Sequence, residues 1–247
     1  MREPLTELRI VEAAARVADS GGYGAISMRN VGKALGVEAM SLYHHVSGKE
    51  ALLDALADWV FAQIQLPAPE TDWRSGMRVR AGSARRVLVE HPWALMLIES
   101  RSHPGPALLK HHDAVIGCLR AGGFSLGLAA QAFSVIDAYV YGFALTERNL
   151  PFDPATSGEA VRLAAEMMPA LAAYPHLTDL VGHLTGAGEY SFSDQFEEGL
   201  DLILEQLEDR LGEERTKPGR GPLSDAADTL SSRPTSPEDP DPNMKDR

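Results

Sequence analysis

Along most of this 247-residue chain the apolar residues recur at intervals of three and four, and sustained alternation of apolar with polar residues is scarce. A half-buried strand requires alternation and a helix requires the longer spacing, so the pattern restricts the chain to an all-α architecture. Leu8, Val11, Ala14, Ala15 and Ala18 make a first stripe, closed by Gly21 and Gly22. Short helices are predicted over 27–35 and 38–44, with Gly36 between them. A fourth starts at Ser47-Gly48-Lys49-Glu50, whose spacing predicts a capping box, and carries Leu52, Leu53, Leu56, Trp59, Val60 and Ile64 as far as Pro67 and Pro69. Further helices are expected over 72–90, 92–101, 105–121, 125–148, 156–173 and 192–211, punctuated by prolines and by Gly122-Gly123.

The prolines at 67 and 69 mark a boundary, which divides the chain into a first domain over 1–66 and a second over 67–212. From 213 to 247 the sequence holds 6 of the 16 prolines and almost no large apolar residue. Such a segment cannot offset its ordering entropy by burial, and the expectation is a disordered tail. The single Cys118 forms no intrachain disulfide, no uninterrupted apolar run reaches the ~20 residues that cross a bilayer, and charges interrupt the first thirty residues. These features predict a cytoplasmic protein without a membrane partner.

The net charge of −12 argues against a general electrostatic coat for nucleic acid. Counted by segment, residues 1–60 carry 6 basic and 8 acidic side chains, 61–212 carry 11 and 19, and 213–247 carry 6 and 8. The negative excess therefore sits mainly on the second domain, and any phosphate contact by the first must rest on a few placed donors.

Residues 27–46, SMRNVGKALGVEAMSLYHHV, have the spacing of a helix-turn-helix. Val31, Leu35, Val37, Leu42 and Val46 are the inward positions, and Gly36 permits the tight turn. The second helix is left free to turn Glu38, Ala39, Met40, Ser41, Tyr43 and His44 outward, in a form that fits the major groove.

With Leu35-Gly36-Val37-Glu38, Leu42-Tyr43, His45-Val46, Lys49 and Ala51-Leu52-Leu53-Asp54-Ala55-Leu56-Ala57, the first 60 residues resemble the DNA-binding domain of TetR-family transcriptional repressors. The resemblance implies that Ser27, Met28, Arg29 and Lys33 bring the second helix against the duplex backbone, and that Glu38, Ala39, Met40 and Ser41 face bases. It further implies that Tyr43 and His44 touch the groove edge and that Lys49 holds a phosphate. Packing of the Tyr43 ring under the third helix is the structural alternative. Ala39, Met40 and Ser41 stand where tetracycline-responsive members have glutamine, proline and threonine, which implies a different operator. Alanine and methionine offer apolar contact, as with a thymine methyl, and no bidentate hydrogen bond.

By the same resemblance the second domain binds an effector and dimerises. Gly123-Phe124-Ser125-Leu126 opens a long helix with a broad apolar surface, and with the last helix it predicts a four-helix subunit contact through Phe133, Val140, Phe196, Leu200, Ile203, Leu204 and Leu207. The alternative is that both helices are core. Dimerisation also follows from mechanism, because one short recognition helix binds weakly and a twofold dimer reads two half-sites. Candidate effector contacts combine apolar bulk with isolated polarity: Trp59, Met77, Arg80, Trp93, Met96, Leu97, Glu99, Arg101, Phe133, Asp137 and Tyr141. Arg80 and Ala84 stand where tetracycline-responsive members have asparagine and phenylalanine, and Leu97 or Ile98, with Gln65, replace their histidines. Hydrocarbon cannot stand in for imidazole in a metal shell, so magnesium-tetracycline is not the expected effector.

His111-His112-Asp113 are consecutive on a helix and do not converge on a metal, and no Gly-x-Ser-x-Gly elbow or phosphate loop is present. The expectation is therefore a homodimeric, ligand-responsive repressor with no cofactor, no metal and no catalytic site, binding a palindromic operator and released by a small organic effector. The rival readings are an activator or protein-controlled regulator of the same fold, a helical-bundle enzyme, and a scaffold acting through the acidic tail.

Overall fold

Why the chain folds into this set of helices is legible from their ends. In the computed structural model, which describes residues 4–101, 103–186 and 191–216, α1 (Glu7–Gly21) is opened by Thr6, whose hydroxyl accepts from the Arg9 amide at 3.3 Å, and closed by Gly22 at φ 74°. Its buried face is Ile10, Val11, Ala13, Ala14, Ala15 and Ala18, so the expected stripe holds from Val11 onward while Leu8 points out. A 3-10 turn at Tyr23–Ala25 leads to α2 (Met28–Leu35), capped by the Ser27 hydroxyl on the Asn30 amide at 3.2 Å.

Gly36 adopts the left-handed conformation at φ 66°, and the chain re-enters helix at once as α3 (Ala39–Leu42). That helix is a single turn, shorter than the expected 38–44, continued by turn bonds from the His45 and Val46 amides to the Leu42 carbonyl. Gly32 is the second glycine this motif requires: a Cβ there would lie 3.0 Å from the Val37 carbonyl oxygen and 3.2 Å from the Ala39 nitrogen. Its bareness lets α2 and α3 cross closely.

Helix α4 (Lys49–Gln63) buries Leu52, Leu53, Leu56, Ala57, Val60 and Phe61, a surface wide enough to pack on α1 on one side and on α7 on the other. Each fully buried leucine stabilises this joint by about 1.5–3 kcal/mol. The expected capping box does not form. Gly48 occupies the cap position at φ 146°, no side chain caps the helix, and Glu50 instead accepts a hydrogen bond from Arg101.

Four helices follow: α5 (Trp73–Glu90), α6 (Ala94–Glu99), α7 (Pro106–Ala121) and α8 (Leu126–Arg148). Asp72 and Ser125 cap α5 and α8 with bonds of 3.0 and 3.1 Å to the Ser75 and Leu128 amides. The apolar α8 is the axis of this part of the molecule, packed by α5, α7 and the last helix. It is long and apolar enough by length and composition to cross a bilayer, and its place among three other helices gives that character a packing explanation.

Helices α9 (Ser157–Leu171) and α10 (Pro175–Gly186) pair chiefly with one another. The second of them was not expected, because Pro175 reads as a stop; it sits instead at the first helical position, where its missing amide costs nothing. Finally α11 (Gln195–Thr216) runs past the predicted end at 211, burying Phe196, Leu200, Leu204, Leu207 and Leu211 against α8. The expected tail beyond Thr216 lies outside the described residues.

Candidate functional site

On α2 through the start of α4, Arg29, Lys33, Glu38, His44 and Lys49 are exposed, Met40 is 72% exposed and Tyr43 is 47% exposed. Exposure of the Tyr43 ring disfavours the packing alternative. Ser27, Ala39 and Ser41 are half-buried, Ser27 being occupied as the α2 cap. Met28 is the exception among the predicted contacts. It is buried in the core of the first three helices, and its side chain is unavailable to a duplex. The inward set behaves as expected at Val31, Leu42 and Val46, with Leu35 and Val37 partly covered.

Behind this surface, α4 is fastened to the following helices by its own carboxylates. Arg101 donates to Glu50 at 2.8 Å and to Asp54 at 3.3 Å. Asp58 accepts from the Leu108 amide at 2.9 Å, and so acts as the cap of α7, whose own cap residue, Gly105, has no side chain to offer. A Cβ at Gly105 would collide with that same carboxylate. A second fastening joins α1 to the chain between α5 and α6: Asp19 accepts from the Trp93 indole at 2.6 Å and from His91 Nδ1 at 2.8 Å, and Trp59 packs edge-on to the His91 ring. Between α4 and the α6–α7 segment lies a cavity of about 90 Å³, lined in part by Asp54, Asp58, Phe61, Arg101 and Leu108. Organic ligands occupy several hundred Å³, so this space admits one only if the surrounding helices part.

The predicted effector contacts are not one cluster. Arg80, Asp137 and Phe133 come together around α7. Arg80 is 1% exposed, its Nε donates to His111 Nε2 at 3.0 Å, and its Nη1 pairs with Asp137 Oδ1. Phe133 stacks edge-on to His112, and Phe61 packs against both histidines. Burial, followed by the Arg80 charge, pushes His111 down to about 3, and burial also lowers His112 against the opposing pull of Asp137. Met77 and Leu97 are fully buried, and Tyr141 is half-buried against the same core. Trp59, Trp93 and Arg101 belong to the fastenings described above, Met96 is 59% exposed, and the Glu99 side chain lies outside the described residues.

The sequence, in which these histidines were weighed only for metal, did not reveal His111 as the partner of Arg80 or His112 as the neighbour of Phe133. Nor did it reveal Asp19, Asp58 or His91. The available signal was that Arg80 and Asp137 fall on apolar stripes of predicted helices, where a charge demands a partner.

Of the residues expected at a subunit contact, Val140, Phe196, Leu200, Leu204 and Leu207 are buried within this one chain, and Phe133 and Ile203 are partly buried against its core. Within the chain α8 and α11 pack on one another. The large apolar side chains that these helices leave open are Leu126, Val135, Leu145 and, at 70% exposure, Leu202.

Comparison with known proteins bears on this arrangement. Residues 10–56 match the family described as "Bacterial regulatory proteins, tetR family", and residues 66–211 match "Tetracyclin repressor-like, C-terminal domain". An HTH-type transcriptional regulator of Saccharopolyspora erythraea is 37% identical over 139 residues, 56% of this chain and 59% of that relative's length. The HTH-type transcriptional repressor DrrR1 of Streptomyces coeruleorubidus is 33% identical over 83% of this chain and 77% of its own. Among solved structures, apo ActR from Streptomyces coelicolor superposes with a TM-score of 0.70 at 28% identity, covering 86% of this chain and 99% of that one, and ActR has also been solved in complex with actinorhodin. An all-helical chain with an exposed helix-turn-helix, matched by the family's patterns across both of its parts, belongs to the TetR family of helix-turn-helix transcriptional regulators.

Proposed function

We propose that this chain is a ligand-responsive transcriptional repressor that binds a palindromic operator as a homodimer and is released by a small organic effector. Residues 1–66 form its DNA-binding domain and 67–212 its effector and dimerisation domain, and it works in the cytoplasm without a cofactor. In the DNA-bound form Ser27, Arg29, Lys33 and Lys49 hold phosphates, Glu38, Ala39, Met40 and Ser41 face base edges, and Tyr43 and His44 lie along the groove. The partner subunit meets α8 and α11 through the open apolar side chains Val135, Leu145 and Leu202.

The observation that carries this reading is mechanical. The exposed reading surface is continuous with α4, and α4 is held by Glu50, Asp54 and Asp58 to the segment that flanks the buried Arg80–His111–Asp137 group. An effector that binds better when this segment is displaced draws α4 with it and changes the spacing of the two recognition helices, by no more than its differential affinity allows. That DrrR1 is a repressor and that ActR binds an organic molecule support the same reading.

Selection of bound duplexes from a random pool, followed by a screen for compounds that release the selected duplex, tests it. The expected outcome is a palindromic site, a protein-to-duplex stoichiometry that is a multiple of two, and at least one releasing compound. Recovery of a non-palindromic site bound by one subunit would overturn it.

A further inference from the structure

The Arg80 group contains more hydrogen-bond donors than the protein uses. Arg80 Nη1 and Nη2 and His111 Nδ1 are buried and have no hydrogen-bond partner among the described residues. His111 Nε2 already accepts from Arg80, which puts the ring's one proton on Nδ1 and makes that atom a donor as well. Nη1 is nonetheless in ionic contact with Asp137 Oδ1, which leaves Nη2 and His111 Nδ1 as the donors without any partner. A buried donor left unmet costs about 1–3 kcal/mol, more when it is charged, so two such donors in one buried group call for an acceptor.

The chemistry of the gap is specific. The Nη1–Nη2 edge of a guanidinium is the planar fork that a carboxylate fills with two parallel bonds, and here Nη2 is open while Nη1 is held by Asp137. Phe133, His112 and Phe61 stand beside it as flat apolar faces, and Phe61 also lines the cavity between α4 and α7, so that its ring separates that cavity from the histidines. Asp137 is the resident anion, in contact with Nη1 alone. A neutral molecule with only donor groups would leave the arginine as it stands.

We infer that the effector is an aromatic carboxylic acid whose carboxylate takes the Nη1–Nη2 edge of Arg80 in competition with Asp137, with its ring against the faces of Phe61, His112 and Phe133. The inference rests on the effector reading above and deepens it.

The probes are aromatic acids of one to three fused rings, benzoate, 2-naphthoate and anthracene-2-carboxylate, each paired with its primary amide. Binding to the full chain is measured by tryptophan fluorescence, and operator release is measured separately. At least one acid should bind tenfold or more tightly than its amide. Arg80→Lys, which keeps the charge and loses the fork, should abolish that preference. Asp137→Asn should strengthen acid binding several-fold, whereas a merely structural Asp137 would weaken it on substitution, so this variant stays informative if Arg80→Lys fails to fold. Acids and amides binding alike, no acid binding, or weaker acid binding by Asp137→Asn would each overturn the inference. If amides release the operator and acids do not, the effector reading stands and the carboxylate falls. If acids bind with the stated preference and nothing releases the operator, the carboxylate stands and the effector reading falls.

Discussion

His111 is held neutral by its surroundings, since its ring is buried, its Nε2 is occupied by Arg80 and its pKa is pushed from 6.5 down to about 3. The unfolded chain therefore takes up a proton at this residue as pH falls below 6.5, while the native chain does not until near 3. In that window the unfolded state binds more protons, so acidification costs stability, with a slope from this residue approaching about 1.4 kcal/mol per pH unit. His111→Gln should flatten the fall in unfolding free energy between pH 6.5 and 4, as read from urea midpoints, and an unchanged slope would show that His111 is not neutral in the fold. Met28 makes the complementary point on the DNA-binding side. The family resemblance puts it among the DNA contacts, yet residues in the first turn of a helix can face either way, and its side chain turns inward. Met40, with 72% of its surface open, is the methionine free to choose a base. Met40→Ala should change which sequences are selected from a random pool, with little effect on binding to unselected DNA.

Among the elements, α7 owes its first turn to another helix. Gly105 contributes no cap, and Asp58 of α4 supplies the acceptor for the Leu108 amide. Asp58→Ala should lower stability by about 1 kcal/mol, as the loss of a capping side chain does, with Asp58→Asn recovering most of it; equal midpoints for wild type and Asp58→Ala would refute the cap. Helices with a regular stripe and a local cap, such as α1, α5 and α8, were legible in the sequence because their start signals lie within three residues of their first turn. Capping of α7 was not, since its acceptor is 50 residues away. The absence of the capping box at Ser47 has the same origin: a local pattern lost to a distant one when Arg101 took Glu50. Helix α10 was hidden by a proline whose two meanings, stop and start, the local sequence does not separate. The site divides likewise. Surface residues of the helix-turn-helix could be placed from spacing, whereas the union of Arg80, His111 and Asp137 depends on three helices meeting.

For the molecule as a whole, the charge of −12 leaves Arg29, Lys33 and Lys49 as the exposed cations of α2 to α4. A dimer presenting three on each half-site releases about six counterions, which sets the slope of log affinity against log salt near −5. Lys49→Ala, lost twice per dimer, should bring that slope about 2 units closer to zero and weaken all sequences alike; an unaltered slope would mean that Lys49 touches no phosphate. If, as proposed, release of DNA displaces α4 from α7, the bond from the Leu108 amide to Asp58 breaks with it. That amide is consequently a built-in reporter. On that mechanism its hydrogen should be shielded from solvent exchange while the recognition helices are in register and exchangeable when they are not, so that a single backbone position would record the regulatory state of the molecule with no DNA or dye present.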